Sequence, residues 1–558
     1  MSEASARPRT VIVGGVAGGM SAATRLRRND EHRDILVLER GEHVSFANCG
    51  LPYHVGGTIP ERESLLLQSP AALRERFALD VRTHHEVLEI DRAAREVHVL
   101  DRATGERSTE RYDELVLATG ASPVRPPLPG AERARTLRDV ADLDAIMAAL
   151  ADGPSTAVVV GGGFIGLELA ENLLVAGLGV TVVEAADHVL PPLDPELAVL
   201  VEDHLAASGI GVRTGTAVTS IGSDDVLLAA ARDGHAGEER VPADLVVLAV
   251  GVRPESGLAR AAGLELDARG AVLVDEHQRT SDPAIFAVGD VAAKRDAVSG
   301  EAVMVPLAQT ANRHGRLVAD VVTGRDVRAL PVLGTAIVGV LGLTVASVGW
   351  NEKRLRAAGR PVRAIHTHPA DHAGYYPGAE QMTLKLLVDP ATDAILGAQG
   401  VGRAGVDKRI DVIATAMRGG LTASDLADLE LAYAPQFGSA KDPVNMLGMI
   451  ADNLAAGTTS TIQWHELAAE IDGGAVLVDV RSAQEVADGA LPRALNLALD
   501  ALRARHNEIP PGRVVVACAA GQRGHTAARL LRQLGFPDVV NLDGGYRTWE
   551  AGSRAVGA

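Results

Sequence analysis

The sequence predicts an α/β protein of several domains, and three observations predict it. Two segments, TVIVGGVAGGMSAATRLRR (10–28) and TAVVVGGGFIGLELAENLL (156–174), each pass from a Val-rich strand through a glycine cluster into a helical pattern. From about residue 330 the pattern changes to longer strands, GTAIVGVLGLTVASVGW and MTLKLLVD, with separate helices, as in an α+β domain. After a small, polar stretch, LAAGTTSTIQ (454–463), which reads as a linker, short strands and helices form a further α/β pattern. A length of 558 residues suits about three to five domains, and the pattern divides into four.

Composition narrows the function. With 47% hydrophobic and 23% charged residues the chain has apolar surface for several cores. A net charge of −18 without a basic run excludes a nucleic-acid face. No stretch reaches the ~18 uninterrupted apolar residues of a membrane span, and MSEASARPRT lacks the apolar core of a signal peptide, so a cytoplasmic protein with no membrane partner is expected. The two cysteines, Cys49 and Cys518, exclude a disulfide scaffold and a four-cysteine zinc site. His84, His85, His366, His368 and His372 match no usual zinc spacing. They read as solvent-facing or channel-lining residues, and no metal is expected.

In the first strand–turn–helix unit, GGVAGG sets Gly14 and Gly19 at the outer positions of G-x-G-x-x-G, with Val16 in the middle. The following strand ends in Glu39 and Arg40; Glu39, 25 positions after Gly14, can hold a ribose hydroxyl. In the second unit Gly161, Gly163 and Gly166 complete the fingerprint, and a pyrophosphate would sit against the helix N-terminus. Glu184, 23 positions after Gly161, would accept from the adenosine ribose 2′-hydroxyl, and EAAD offers no Arg to a 2′-phosphate. That favours NADH over NADPH. Paired with ATG, ending in Gly120, and FAVGD, ending in Asp290, the first unit points to FAD, with Asp290 on the ribityl chain. RTSDPAIFAVGD reads as the chain's return into that first domain.

Cys49 lies in SFANCGLPYHVGG. Ser45 or Asn48 can cap, and Gly50 to Tyr53 can open, a helix whose positive end would lower the thiol pKa and make it a nucleophile at neutral pH.

These motifs, with YYPGA (375–379) and YAPQFGSAKDPVNM (433–446), make residues 1–450 resemble the pyridine nucleotide-disulfide oxidoreductases, and among them the coenzyme A disulfide reductase branch. No second cysteine stands four or five residues after Cys49, and HTHPAD does not supply the histidine motif of glutathione reductase relatives. The resemblance implies an FAD-binding domain over 1–122 and 253–325, an NAD(H)-binding domain over 123–252 and an α+β dimerisation domain over 326–453 of a homodimer. It implies a mixed disulfide between Cys49 and coenzyme A, with tyrosines of the partner subunit assisting protonation. These map to Tyr375 or Tyr376 and to Tyr433. Ser45 and Asn48 match residues beside the thiol, and Arg28 and Arg76 match groups that hold the coenzyme's phosphates. Substrates would be coenzyme A disulfide, coenzyme A persulfide or polysulfide. A rival is NADH oxidase or peroxidase, which cycles a sulfenic acid; those enzymes carry a histidine in the first glycine turn, where Ala17 stands here.

Cys518 lies in RVVVACAAGQRGHTAARLL, between a strand and a helix. The backbone N–H groups of Cys518 to Arg523, with the Arg523 guanidinium, would make an anion-binding nest. Phosphatases of similar shape need five residues between Cys and Arg; the four here suit a persulfide. With DVRSAQEV and NLDGGYRTW, residues 460–558 resemble an α/β rhodanese domain. That implies sulfur transfer through Cys518 and Arg523, or, alternatively, a sulfur-carrier scaffold.

Overall fold

The computed structural model describes residues 7–230 and 239–557. The chain forms two compact units, Met1–Ala185 with Gly215–Gly334, and Ala186–Thr214 with Thr335–Ala558.

The first unit is built on an all-parallel sheet in the order Ile285–Ala287, Glu114–Leu117, Arg9–Val13, Asp34–Leu38, Asp80–Arg82. Its central strands are Val/Ile/Leu runs because both faces are covered. One apolar layer holds Val11, Leu36, Leu115 and Ile285; the other holds Ile12, Val37, Val116 and Phe286. The helices Ala17–Asn29 and Ala308–Val322 pack closely on the second face, where Gly315 lies directly against the Gly18 carbonyl. Ile285–Ala287, in the segment read as a return to the first domain, supplies the edge strand beside Glu114–Leu117. The second strand–turn–helix unit contributes a separate parallel sheet, Gly179–Val183, Thr156–Val160 and Leu245–Leu248.

The second unit holds an antiparallel sheet in the order Ala336–Val340, Leu343–Gly349, Ile395–Gly402, Met382–Val388, Arg363–Thr367, with the helices Val406–Gly419 and Pro443–Ala455 against it. It also holds an all-parallel sheet ordered Thr461–Ile462, Val539–Leu542, Val514–Ala517, Val476–Asp479, Leu495–Asn496, flanked by Gln522–Gln533 and Gly545–Ala555. Asp194 and Glu196, at the start of the helix Pro195–Ala207, bind Lys385 of the antiparallel sheet. In the stretch read as a linker, the Thr458 carbonyl accepts Arg529 Nη1 at 2.6 Å, and Thr459 Oγ1 lies 2.6 Å from His525 Nδ1.

Candidate active site

The two glycine turns share one construction. A Cβ at Gly19 would fall 1.9 Å from the Gly14 carbonyl oxygen, and one at Gly166 the same distance from that of Gly161, so only glycine lets each helix pack on its strand. Gly163 instead faces open space, which leaves its backbone approachable. The helices Ala17–Asn29 and Phe164–Val175 begin with no capping side chain and no acid in the first turn, so their leading N–H groups and positive ends can serve an anion. Glu39 Oε2 accepts the Gly15 N–H at 2.8 Å, and Glu184 Oε2 accepts the Gly162 N–H at 2.7 Å. Each expected ribose ligand thus braces its glycine turn, and Glu39 Oε1 also accepts the Gly41 N–H at 2.8 Å. Arg40 is exposed, with Nη2 3.6 Å from Glu255 Oε2. These features fit two dinucleotides.

Asp290 lies in a short turn, Gly289–Val291, directly after the edge strand, and its carboxylate accepts Arg138 Nη2 at 3.1 Å. Arg138 also sits 3.0 Å from where a Gly120 Cβ would be, and its carbonyl accepts Asn48 Nδ2 at 3.4 Å. Sequence reasoning missed this arginine; its signal is the TLRD that precedes the helix capped by Asp139. Lys294 is buried beside Asp290, donates to the Gly289 carbonyl, and is pulled down to about 8 by burial.

Cys49 is the middle residue of a 3₁₀ turn, Asn48–Gly50, and is exposed. The short helix Leu51–Val55 packs on Phe164–Val175, so the thiol is carried between the first glycine turn and the helix of the second. Ser45 takes a left-handed φ of 49° and donates its N–H to the Gly15 carbonyl at 2.8 Å. Two expectations are corrected. Neither Ser45 nor Asn48 caps a helix; the helix opens at Gly50, beyond the sulfur. The Cys49 thiol is held above its ordinary pKa, by partial desolvation first and then by Glu168, with Arg138 opposing. Glu168, also missed from sequence, accepts Tyr53 Oη–H at 3.2 Å. Its carboxyl is raised by burial against that bond, and the Tyr53 phenol is pushed up to about 12 by desolvation and Glu168. Arg28 and Arg76 stand exposed in the last turns of Ala17–Asn29 and Pro70–Phe77.

In the second unit Tyr375 Oη and Tyr433 Oη lie 2.9 Å apart, on residues 76% and 48% exposed. Tyr376 instead meets the His372 ring edge-on, with centroids 5.7 Å apart. The structure therefore pairs Tyr375, not Tyr376, with Tyr433.

Cys518 directly follows the strand Val514–Ala517, is 1% exposed, and its Sγ accepts the Gly521 N–H at 3.1 Å. Gly521 takes φ 92° to turn that N–H toward the sulfur. Arg523 does not extend the nest as expected. Its Nη1 and Nη2 donate to Glu485 at 2.9 and 2.6 Å, and this clamp, with Ser482, lowers Glu485 to about 2. Glu485 is in turn fixed by a reciprocal cap with Ser482.

Three of the five histidines are enclosed, and His366 and His368 line a cavity. The His366 side chain is 0% exposed, and His368 and His372 are largely buried. Asp194, Glu196 and Glu352 converge closely enough to suggest a cation site, but Lys385 Nζ lies 3.0, 2.5 and 2.6 Å from them, so the ammonium is their counter-charge. Among the described residues no helix is long and apolar enough to cross a membrane.

Comparison with known proteins places this geometry. Residues 8–315 match the pyridine nucleotide-disulphide oxidoreductase family, 335–443 the dimerisation domain of that family, and 463–552 the rhodanese-like domain. Coenzyme A disulfide reductase of Staphylococcus aureus (strain bovine RF122 / ET3-1) is 34% identical over 443 residues, 79% of this chain and 99% of that protein. The structure of reduced Bacillus anthracis CoADR-RHD superposes with a TM-score of 0.95 at 43% identity, covering 98% of each chain. That of an NAD-dependent persulfide reductase from A. fulgidus gives 0.90 at 38% identity, covering 97% of this chain and all of that one. The chain belongs to the pyridine nucleotide-disulphide oxidoreductase family, and carries a rhodanese-like domain after its dimerisation domain.

Proposed function

We propose that the chain is an FAD-dependent, NADH-driven reductase of coenzyme A disulfide and coenzyme A persulfide, polysulfide included, that works through Cys49, with a sulfurtransferase centre at Cys518. The observation that carries this reading is the placement of the two cysteines: Cys49 exposed beside two dinucleotide turns, Cys518 buried under a loop N–H, neither with a second thiol. The uncapped first helix with Glu39 and Asp290 would hold FAD, and the second, with Gly163 and Glu184, would hold NADH. Bound FAD would supply two-electron transfer between NADH and sulfur.

The Cys49 thiolate attacks the sulfur attached to coenzyme A, forming a Cys49–coenzyme A disulfide and expelling coenzyme A thiolate from the disulfide, or hydrosulfide from the persulfide. The leaving thiolate takes a proton from the Tyr375–Tyr433 pair, which the homodimer would bring from the partner subunit. Two electrons from NADH then break the mixed disulfide, restoring Cys49 thiolate and releasing a second thiolate. Overall, NADH, one proton and coenzyme A disulfide give NAD⁺ and two coenzyme A thiols; the persulfide gives one thiol and hydrogen sulfide. Arg138 lowers the cost of the Cys49 anion, and Glu168 and Asp290 raise it. Glu184 disfavours the 2′-phosphate of NADPH by like charge. Cys518 thiolate takes a sulfane sulfur from a donor as a persulfide and passes it to coenzyme A, which makes the reductase's substrate.

The test is anaerobic NADH oxidation against coenzyme A disulfide, coenzyme A persulfide, polysulfide, oxygen and peroxide in parallel. The reading expects the sulfur substrates to lead. Oxygen or peroxide leading would favour the oxidase reading, against which Ala17 stands in the first glycine turn.

A further inference from the structure

The Cys518 loop is held from below by two glycines with separate duties. A Cβ at Gly545 would fall 2.3 Å from the Cys518 carbonyl oxygen, and the next two residues grip the loop: the Tyr546 N–H donates to the Cys518 carbonyl at 2.7 Å and the Arg547 N–H to that of Ala519 at 3.1 Å. Gly544 faces the other way, where a Cβ would meet the His366 Cβ at 2.8 Å. His366 belongs to the edge strand Arg363–Thr367 of the antiparallel sheet, not to the rhodanese-like sheet.

Asp543, the residue before these glycines, is bound from that strand twice. Its Oδ2 accepts the His366 backbone N–H at 3.0 Å and faces His366 Nδ1 at 2.6 Å. His366 Nε2 meets Glu196 Oε1 at 3.0 Å, and that same oxygen lies 2.5 Å from Lys385 Nζ. Both ring nitrogens therefore face carboxylate oxygens. A neutral imidazole has one N–H and can serve only one of them; the imidazolium serves both.

We infer that His366, as the imidazolium, is a positioning residue for the Cys518 loop, locking Asp543 and through Gly544 and Gly545 the carbonyl of Cys518. The inference rests on the sulfurtransferase reading of Cys518. Burial works against the charge, but Asp543 and Glu196 hold His366 up to about 9. The other charged groups around it are Lys385, Asp194 and Glu352 on the far side of Glu196, and His368, Arg547, Glu550 and Arg554 around the adjoining cavity. His368 is held neutral, pulled down to about 3 by burial, the His366 charge and Arg547. When His366 loses its proton, one of its two carboxylate bonds is lost and the loop loosens.

The test follows single-turnover loading of Cys518 by thiosulfate, read as sulfite release. The thiolate attacks the outer sulfur, the S–S bond breaks, and Cys518 persulfide and sulfite form without another reactant. In the wild-type protein the rate should fall as pH rises through about 9, opposite in sign to the gain expected from thiolate formation. H366N should load at least tenfold more slowly at pH 7.5 and lack the alkaline fall, while NADH-driven reduction of coenzyme A disulfide stays within twofold. D543N, which preserves shape and removes the charge, should repeat the slowing, so the proposal does not hang on one variant's folding. An alkaline limb in H366N equal to the wild type, or loading within twofold of it, overturns the proposal. Wild-type protein that releases no sulfite overturns the sulfurtransferase reading, and the proposal with it.

Discussion

Lys385→Met should be among the most damaging single changes in the second unit. Lys385 is 1% exposed, in the strand Met382–Val388, with three carboxylate partners that are themselves 1%, 3% and 11% exposed. Burial disfavours every charge in the group. Against burial, Lys385 together with His366 on Glu196 and Arg356 on Glu352 keeps both carboxylates below their usual range. Methionine fills the same length and leaves Asp194, Glu196 and Glu352 facing one another. Gln399 Nε2 and the Glu352 and Lys353 N–H groups on Asp194, Arg356 on Glu352 and His366 on Glu196 then remain, without the shared ammonium. Removing one partner of a buried ion pair costs about 3–5 kcal/mol. At about 2–4 °C per kcal/mol for a unit of this size, the melt should fall by about 6–20 °C. The measurement is urea unfolding and calorimetry of full-length wild type and K385M. The pH dependence carries the mechanism: wild-type carboxylates stabilise above about pH 4 and lose that contribution as pH falls. In K385M the unmatched carboxylates destabilise at neutral pH and are relieved as they protonate. The gap between the proteins should therefore narrow as pH falls from 7 to 4. A loss under about 1 kcal/mol at pH 7, or a gap that widens in acid, refutes the buried-charge reasoning.

Three other outcomes follow from the sites. Glu168→Gln removes the carboxylate that most raises the Cys49 thiol, so the midpoint pH for alkylation by iodoacetamide should fall; a midpoint that rises contradicts the electrostatics. Glu184→Ala frees the Gly162 N–H and removes a negative charge, so the ratio of kcat/KM for NADH to that for NADPH should drop at least fivefold, with an unchanged ratio the contrary result. Glu485→Gln keeps the helix cap but unclamps Arg523, so sulfate should inhibit thiosulfate loading of Cys518 more strongly than in wild type; equal inhibition would show that the clamp does not set the charge of the loop.

How much was legible in sequence depended on distance along the chain. The glycine turns are local: Gly161 to Gly166 and the strand and helix beside them fall within one short window, and the same is true of Cys518 to Arg523. Arg138 and Glu168 reach Asp290 and Tyr53 across more than a hundred positions, so the local motifs that contain Asp290 and Tyr53 do not mark them. Lys385 was hidden for another reason. In MTLKLLVD a lysine reads as the solvent side of an alternating strand, yet the packed helix Pro195–Ala207 brings Glu196 over that face and makes it core. His366, on the strand Arg363–Thr367, and His368, just after it, read as solvent-facing or channel-lining, because the rhodanese-like domain that contacts them lies far down the chain. The thiol pKa was misread through a local rule: a helix opening at Gly50 was visible after Cys49, but not that burial and Glu168 outweigh its positive end.

The central claim is that each cysteine carries its own half of one sulfur path, and paired serine variants test it most directly. NADH-dependent sulfide release from coenzyme A persulfide and sulfite release from thiosulfate are measured on Cys49→Ser, Cys518→Ser and wild type. The account predicts that C49S loses sulfide release and keeps sulfite release, and that C518S does the reverse. Full NADH-dependent sulfide release by C49S would contradict it.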